Sequence, residues 1–143
     1  MWSNNRRKGG SSVKILVCTA ILLFYALTVP ALAEEAIAGT KPLICATIQA
    51  VSCAPGEECE RGLPESIGAP QFLRIDFVKK EIISTKRSAQ ILFMEKSDEQ
   101  ITMQGFELGM GWTLAIDRAT GKAVFTFANR EEGIVIFGAC TAQ

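Results

Sequence analysis

The sequence contains no histidine. Its absence removes the side chain most used as a general base near neutral pH, and the commonest zinc ligand with it. No Ser/His/Asp or Cys/His nucleophile can therefore be assembled. Glycine-rich phosphate loops, internal repeats and low-complexity tracts are also missing. Basic residues are scarce where a folded domain begins. Four of the 15 (Arg6, Arg7, Lys8 and Lys14) fall in the first 14 positions, which leaves 11 against 15 acidic residues, a net charge of about −4. A mildly acidic domain without a basic run is a poor partner for a phosphate backbone, so nucleic-acid binding is set aside.

What stands at the N-terminus is a leader. Arg6-Arg7-Lys8 precedes an uncharged run from Ile15 to Val29, and Pro30-Ala31-Leu32-Ala33 follows. A basic start, an apolar run of about 15 residues and an Ala-x-Ala site make a secretory signal peptide over 1–33, cleaved before Glu34. A membrane-spanning helix wants about 20 apolar residues, so an uncleaved anchor is the alternative, and with it any membrane association. Cys18 lies near the start of the apolar run, not at its end, which argues against lipoprotein processing. Lys8-Gly9-Gly10 after the arginine pair argues against twin-arginine export. The expected location is periplasmic or secreted.

Residues 34–42 show no period and read as a flexible leader to one domain over 43–143. From Leu43 the chain turns to eight short β-rich runs: 43–50, 71–78, 81–86, 90–96, 100–107, 112–118, 122–128 and 134–140. The one long connection is 51–70, rich in Pro, Gly and Glu. The other links are of hairpin length, whereas parallel neighbours need a crossover of about a dozen residues or more. Asp117-Arg-Ala-Thr-Gly121-Lys is the clearest turn, since Gly121 can take the positive φ of a bulged hairpin. Alternation places Trp112, Leu114 and Ile116 on one face, with Ala123, Phe125, Phe127, Leu73, Ile75 and Phe77 on the matching faces of their own strands. The fold class is all-β: an antiparallel meander of about eight strands that curls toward a small up-and-down barrel. A barrel of that size is just filled by side chains or holds one small ligand, and with strands this short a mostly filled interior is expected.

Four cysteines follow the leader, and four allow three pairings. Cys53 and Cys59 flank Ala-Pro-Gly-Glu-Glu, whose Pro-Gly turn draws them together. Cys45 in the first run then pairs with Cys140 in the last, as neighbouring strands of a barrel seam. Their faces conflict, however. Cys45 lies with Leu43 and Thr47, while Ile44, Ala46 and Ile48 are the more apolar set, so inward sulfurs turn Ile44 and Ile48 outward unless a bulge intervenes. The Cys53–Cys59 spacing is neither a thioredoxin-like nor a zinc-knuckle spacing, so structural disulfides of an exported chain are the reading.

No catalytic, cofactor or metal residue is singled out. The glutamates at 57, 58, 60 and 65 lack the alternate spacing of a calcium loop and read as a solvated loop. Three weak binding candidates remain. Arg74 and Asp76 share one face of the second run beside Phe72, as an outward patch for a partner protein or as charges that simply pair with neighbouring strands on the outer surface. Trp112 follows Leu108-Gly109-Met110-Gly111 and is placed to stack on a flat ligand at a barrel mouth, or simply to pack in the core.

In layout the chain is similar to small exported bacterial β-barrels, including periplasmic lysozyme-inhibitor-like and lipocalin-like domains. The shared features are the signal peptide, the short strands and the first-to-last cysteine pair, and no site residue carries over. The functional expectation is a non-enzymatic envelope module that binds an envelope protein or a small ligand through its 51–70 loop. The alternatives are a carboxylate-dependent envelope hydrolase and a membrane-anchored structural protein.

Overall fold

At the centre of the sheet lie its two longest strands, the first and the last. A computed structural model describes residues 36–143; the signal peptide, its cleavage point, the anchor alternative and Cys18 lie outside them. Strand β1 (Leu43–Cys53) runs antiparallel to β10 (Gly133–Ala142) from Leu43 opposite Ala142 to Cys53 opposite Gly133. Cys45 faces Cys140 in this register and the two form a disulfide. The face conflict in β1 resolves through a bulge. The register shifts between Thr47 and Gln49, so Leu43 and Cys45 point inward before it and Ala50 after it. Ile48 sits in the bulge at 61% exposure, because the extra residue is left without a partner.

From β1 the sheet grows in both directions. On one side follow β3 (Phe72–Asp76), β4 (Glu81–Ile83) and β5 (Ser88–Gln90). On the other side of β10 come β9 (Lys122–Ala128), β8 (Met110–Asp117), β7 (Gln100–Glu107) and β6 (Phe93–Lys96). A short β2 (Glu60–Gly62) pairs with the far end of β1, where the Cys53–Cys59 disulfide closes the hairpin. The stretch expected as one loop is therefore a folded arm. After β2 a 3-10 turn over Pro64–Ile67 ends at Gly68 (φ 74°), and Thr47 takes the chain back, donating its backbone N–H to Gln71 (2.9 Å) and its hydroxyl to Pro70 (2.8 Å).

The sheet curls into a half-barrel, and its two edge strands are consecutive in sequence. The run expected over 90–96 divides at Ile91-Leu92. The Ile91 N–H donates to the Lys80 carbonyl on one side (2.8 Å), and the Leu92 N–H to Gln104 on the other (2.9 Å). Gly105 of β7 lets the two edges approach: a Cβ there would lie 2.6 Å from the Gln90 carbonyl oxygen and 2.5 Å from Cε2 of Trp112.

Five of the hairpin tips share one device, a short polar side chain that accepts backbone N–H groups two or three residues on. Asp76 accepts from Val78 and Lys79 (3.1 and 3.0 Å), Asp117 from Ala119 and Thr120 (3.0 and 2.8 Å), and Asn129 from Glu131 and Glu132 (2.7 and 2.8 Å). Ser84 and Ser97 do the same with their hydroxyls. Gly121 takes φ 70° in the turn that the sequence marks for it.

The core occupies one half of the curl. Leu43, Ile75, Ile101, Leu114 and Ile116 are fully buried there, each contributing about 1.5–3 kcal/mol relative to exposure. That end is sealed by residues read from sequence as a loose leader. Ile37 is buried and donates its backbone N–H to the Arg118 carbonyl (2.8 Å), and Arg118 Nε donates in return to the Ile37 carbonyl at 2.8 Å. Lys96 donates to the Gly39 carbonyl (2.5 Å) and stands 5.1 Å over the Phe77 ring.

Candidate functional site

The opposite end of the half-barrel is open. There a cavity of about 700 Å³ lies between the inner face of the sheet, the 65–72 segment and the hairpin tips at 84–87 and 107–110. Its walls include Trp112, Phe125, Phe127, Ile134 and Ile136, all from inward positions of β8, β9 and β10. Alternation alone assigns these side chains to the inside. Their strands supply no larger residue to cross the gap, and the covering segment offers Gly68, Ala69 and Pro70. The interior is thus filled at the sealed end and hollow at the other, where a mostly filled barrel was expected.

Among the three residues singled out from sequence, Trp112 lines this cavity. It is buried against the Gly105 backbone, and its indole N–H has no protein hydrogen-bond partner among the described residues. Arg74 and Asp76 are not part of the wall. Arg74 points outward between Ile44 and Ile83 in the neighbouring strands. Asp76 departs from the outward face expected of it, because β3 ends there and the carboxylate turns into the hairpin tip. The Lys79 N–H does most to hold the Asp76 carboxyl below its ordinary value; burial acts against it, and the Val78 N–H and nearby Lys79 and Arg74 charges add to the lowering. Asp76 serves the turn. Neither Arg74 nor Asp76 forms an ion pair with a neighbouring strand among the described residues.

Four charged residues stand at the cavity mouth, and sequence reasoning picked out none of them as a set: Glu65, Lys86, Arg87 and Glu107. They come from three separate segments, so no spacing in the chain could have linked them. The Glu65 carboxylate accepts a hydrogen bond from the Gln71 amide. Glu107 lies 3.8 Å from the Arg87 guanidinium. Lys86 and Arg87 are fixed by their turn: Ser84 Oγ accepts their backbone N–H groups at 3.4 and 3.2 Å, and the Ser84 N–H donates to the Arg87 carbonyl at 2.8 Å.

Exposed apolar residues stand beside these charges at the lip of the mouth. Leu108 is 77% exposed and takes φ 51°, followed by Gly109 at φ 81°, the positive pair of a two-residue type I′ hairpin. A branched residue is a poor choice for that conformation, and an exposed one gains nothing from the core. Ile67 and Phe72 are also exposed beside the cavity.

Among the described residues no group of three or more Cys, Asp or Glu side chains converges where it could hold a metal ion. What the arrangement offers chemically is an apolar chamber with a charged, hydrogen-bonding rim. The chain matches no protein-family model, no curated protein and no solved structure.

Proposed function

We propose that this protein is an exported, non-enzymatic binding domain that takes a small apolar ligand into the open end of its half-barrel. The observation that carries this reading is the cavity of about 700 Å³ walled by Trp112, Phe125, Phe127, Ile134 and Ile136. Ligand pockets run from about 300 to 1,000 Å³ and are mainly apolar with a few placed polar groups. Export is supported by the two disulfides, which an oxidising compartment maintains, together with the signal-peptide pattern.

The test is titration with an environment-sensitive apolar dye. Wild-type protein should bind one dye, and Ala89→Phe, which fills the chamber from β5, should abolish binding while leaving the far-UV circular dichroism unchanged. Equal binding by both proteins would place the dye elsewhere and defeat the reading.

A carboxylate hydrolase is the second reading, and Glu65 and Glu107 at the mouth are what favour it. The neighbours already engaging them, Gln71 and Arg87, speak for a structural role. Glycan turnover lost on Glu65→Gln or Glu107→Gln would reverse that preference.

A further inference from the structure

We propose that the occupant is a single-chain amphipath with an anionic head, its chain against Trp112, Phe125 and Phe127 and its head between Lys86 and Arg87. This rests on the cavity-binding reading above and names the ligand class. The argument starts from the hydrogen-bond inventory of the mouth. A guanidinium carries five N–H donors and an ammonium three. Among the described residues neither the Lys86 nor the Arg87 side chain donates a hydrogen bond; the polar contacts of this tip run through backbone atoms and Ser84. The ion pair of Arg87 with Glu107, at 3.8 Å, is longer than a hydrogen bond. One oxygen of the Glu65 carboxylate accepts from Gln71, and Glu107 faces Arg87. The two carboxylates of the rim thus stand on separate segments, each beside a neighbour, while its two basic side chains share one tip with donors unused, and the group that tip complements is an acceptor with negative charge.

The position of these donors sets the shape of the ligand. They sit on a turn whose backbone is held by four hydrogen bonds of 2.8, 3.0, 3.2 and 3.4 Å, so the head meets a defined tip at the edge of the chamber. Behind them the inner wall is mainly apolar, with Ile82, Ala89, Phe125 and Ile136. The exposed Leu108, Ile67 and Phe72 give an alkyl chain an apolar path past the rim. One polar end and one apolar end in series select a ligand of the same pattern. A fatty carboxylate and a single-chain phosphate share that chemistry.

Four alkyl probes of equal length, brominated near the chain end and differing only in head, test the assignment on the full chain. The heads are carboxylate, phosphate, alcohol and trimethylammonium, and the signal is quenching of Trp112 fluorescence. A Trp112→Phe variant measures the background from Trp2, the only other tryptophan. The carboxylate or the phosphate should bind about tenfold or more tightly than the alcohol, as charge-assisted hydrogen bonds imply, and the order of the two identifies the source. Lys86→Gln with Arg87→Gln should erase that advantage and leave the alcohol unchanged. Each added methylene should tighten binding about fourfold while the chain still fits. Equal binding of alcohol and anions would overturn the head assignment but leave the cavity reading standing. Tighter binding of the ammonium would overturn it in favour of Glu65 and Glu107. Failure of all four to quench would overturn both.

Discussion

Removing the Cys45–Cys140 disulfide should cost about three times as much stability as removing Cys53–Cys59. The first bridge joins residues 95 apart and the second residues 6 apart. In the chain-entropy model these separations correspond to about 4.7 and about 2.2 kcal/mol lost from the denatured state. Packing widens the gap. Both sulfurs of the long bridge lie in the core, with Cys45 fully buried, and each methyl-sized void left there adds about 1 kcal/mol. The expected losses are therefore about 6–7 kcal/mol for Cys45→Ala with Cys140→Ala, against about 2 kcal/mol for Cys53→Ala with Cys59→Ala. A domain of this size has a total stability of about 5–15 kcal/mol, so the first variant should be close to unfolding at room temperature. Urea titration followed by circular dichroism measures both. The urea slope m should also rise for the long-bridge variant, because its denatured chain exposes more surface once the constraint is gone. Equal losses for the two variants, with m unchanged, would refute the account of the long bridge as the main constraint on the unfolded chain.

Gly105→Ala should destabilise by about 1–3 kcal/mol or more by urea titration, because the added methyl meets backbone at Gln90 as well as the Trp112 ring; a neutral result would mean that the β5 and β7 edges do not approach as described. Leu108→Asn should raise stability by about 1 kcal/mol, since Asn tolerates positive φ and Asn-Gly is the favoured type I′ pair, and differential scanning calorimetry would refute the strain argument by an unchanged melting temperature. The Asp76 carboxyl is held below its usual 3.8 in the folded chain, so its contribution is present above that pH and fades as pH falls through the folded value; Asp76→Asn should flatten the loss of urea resistance as pH falls below 3.8, and an unaltered slope would deny the carboxylate that role.

The strands were legible because a half-buried sheet imposes its period on the chain. The runs expected at 100–107 and 122–128 coincide with β7 and β9, and the inward faces of β3, β8 and β9 follow their alternation. Two features broke that rule for identifiable reasons. The 90–96 run carries four consecutive apolar residues, Ile91 to Met94, so nothing in its pattern marks the point where the chain leaves one edge for the other. In β1 the conflict between Cys45 and its isoleucine neighbours was visible, but the answer lay in the register against β10, some 90 residues away, where Thr47 pairs with Gly138 and Gln49 with Phe137. Asp76 was misplaced by the same alternation, extended one residue too far. Its strand ends at that position, and a terminal Asp is better read as a turn acceptor.

The candidate site was less legible than the fold for a related reason. Periodicity binds residues to faces of regular elements, and only the floor of the cavity is built from such faces. Trp112 was found because it belongs to one. The mouth comes from hairpin tips and the folded arm, where sequence constrains the turn and not the direction of the remaining side chains. Leu108 shows the distinction within a single turn. Its neighbour Gly109 meets the conformational demand, while Leu108 sits at φ 51° with 77% of its surface exposed and makes the turn less favourable. Residues chosen against local preference and away from the core are where function is to be sought, and here two such choices meet, the apolar lip and the basic pair at 86–87 without side-chain acceptors; elsewhere a strand run is interrupted at 91–92. The interruption leaves the sheet open as a half-barrel with a chamber, where an unbroken strand over 88–96 would have joined its two edges.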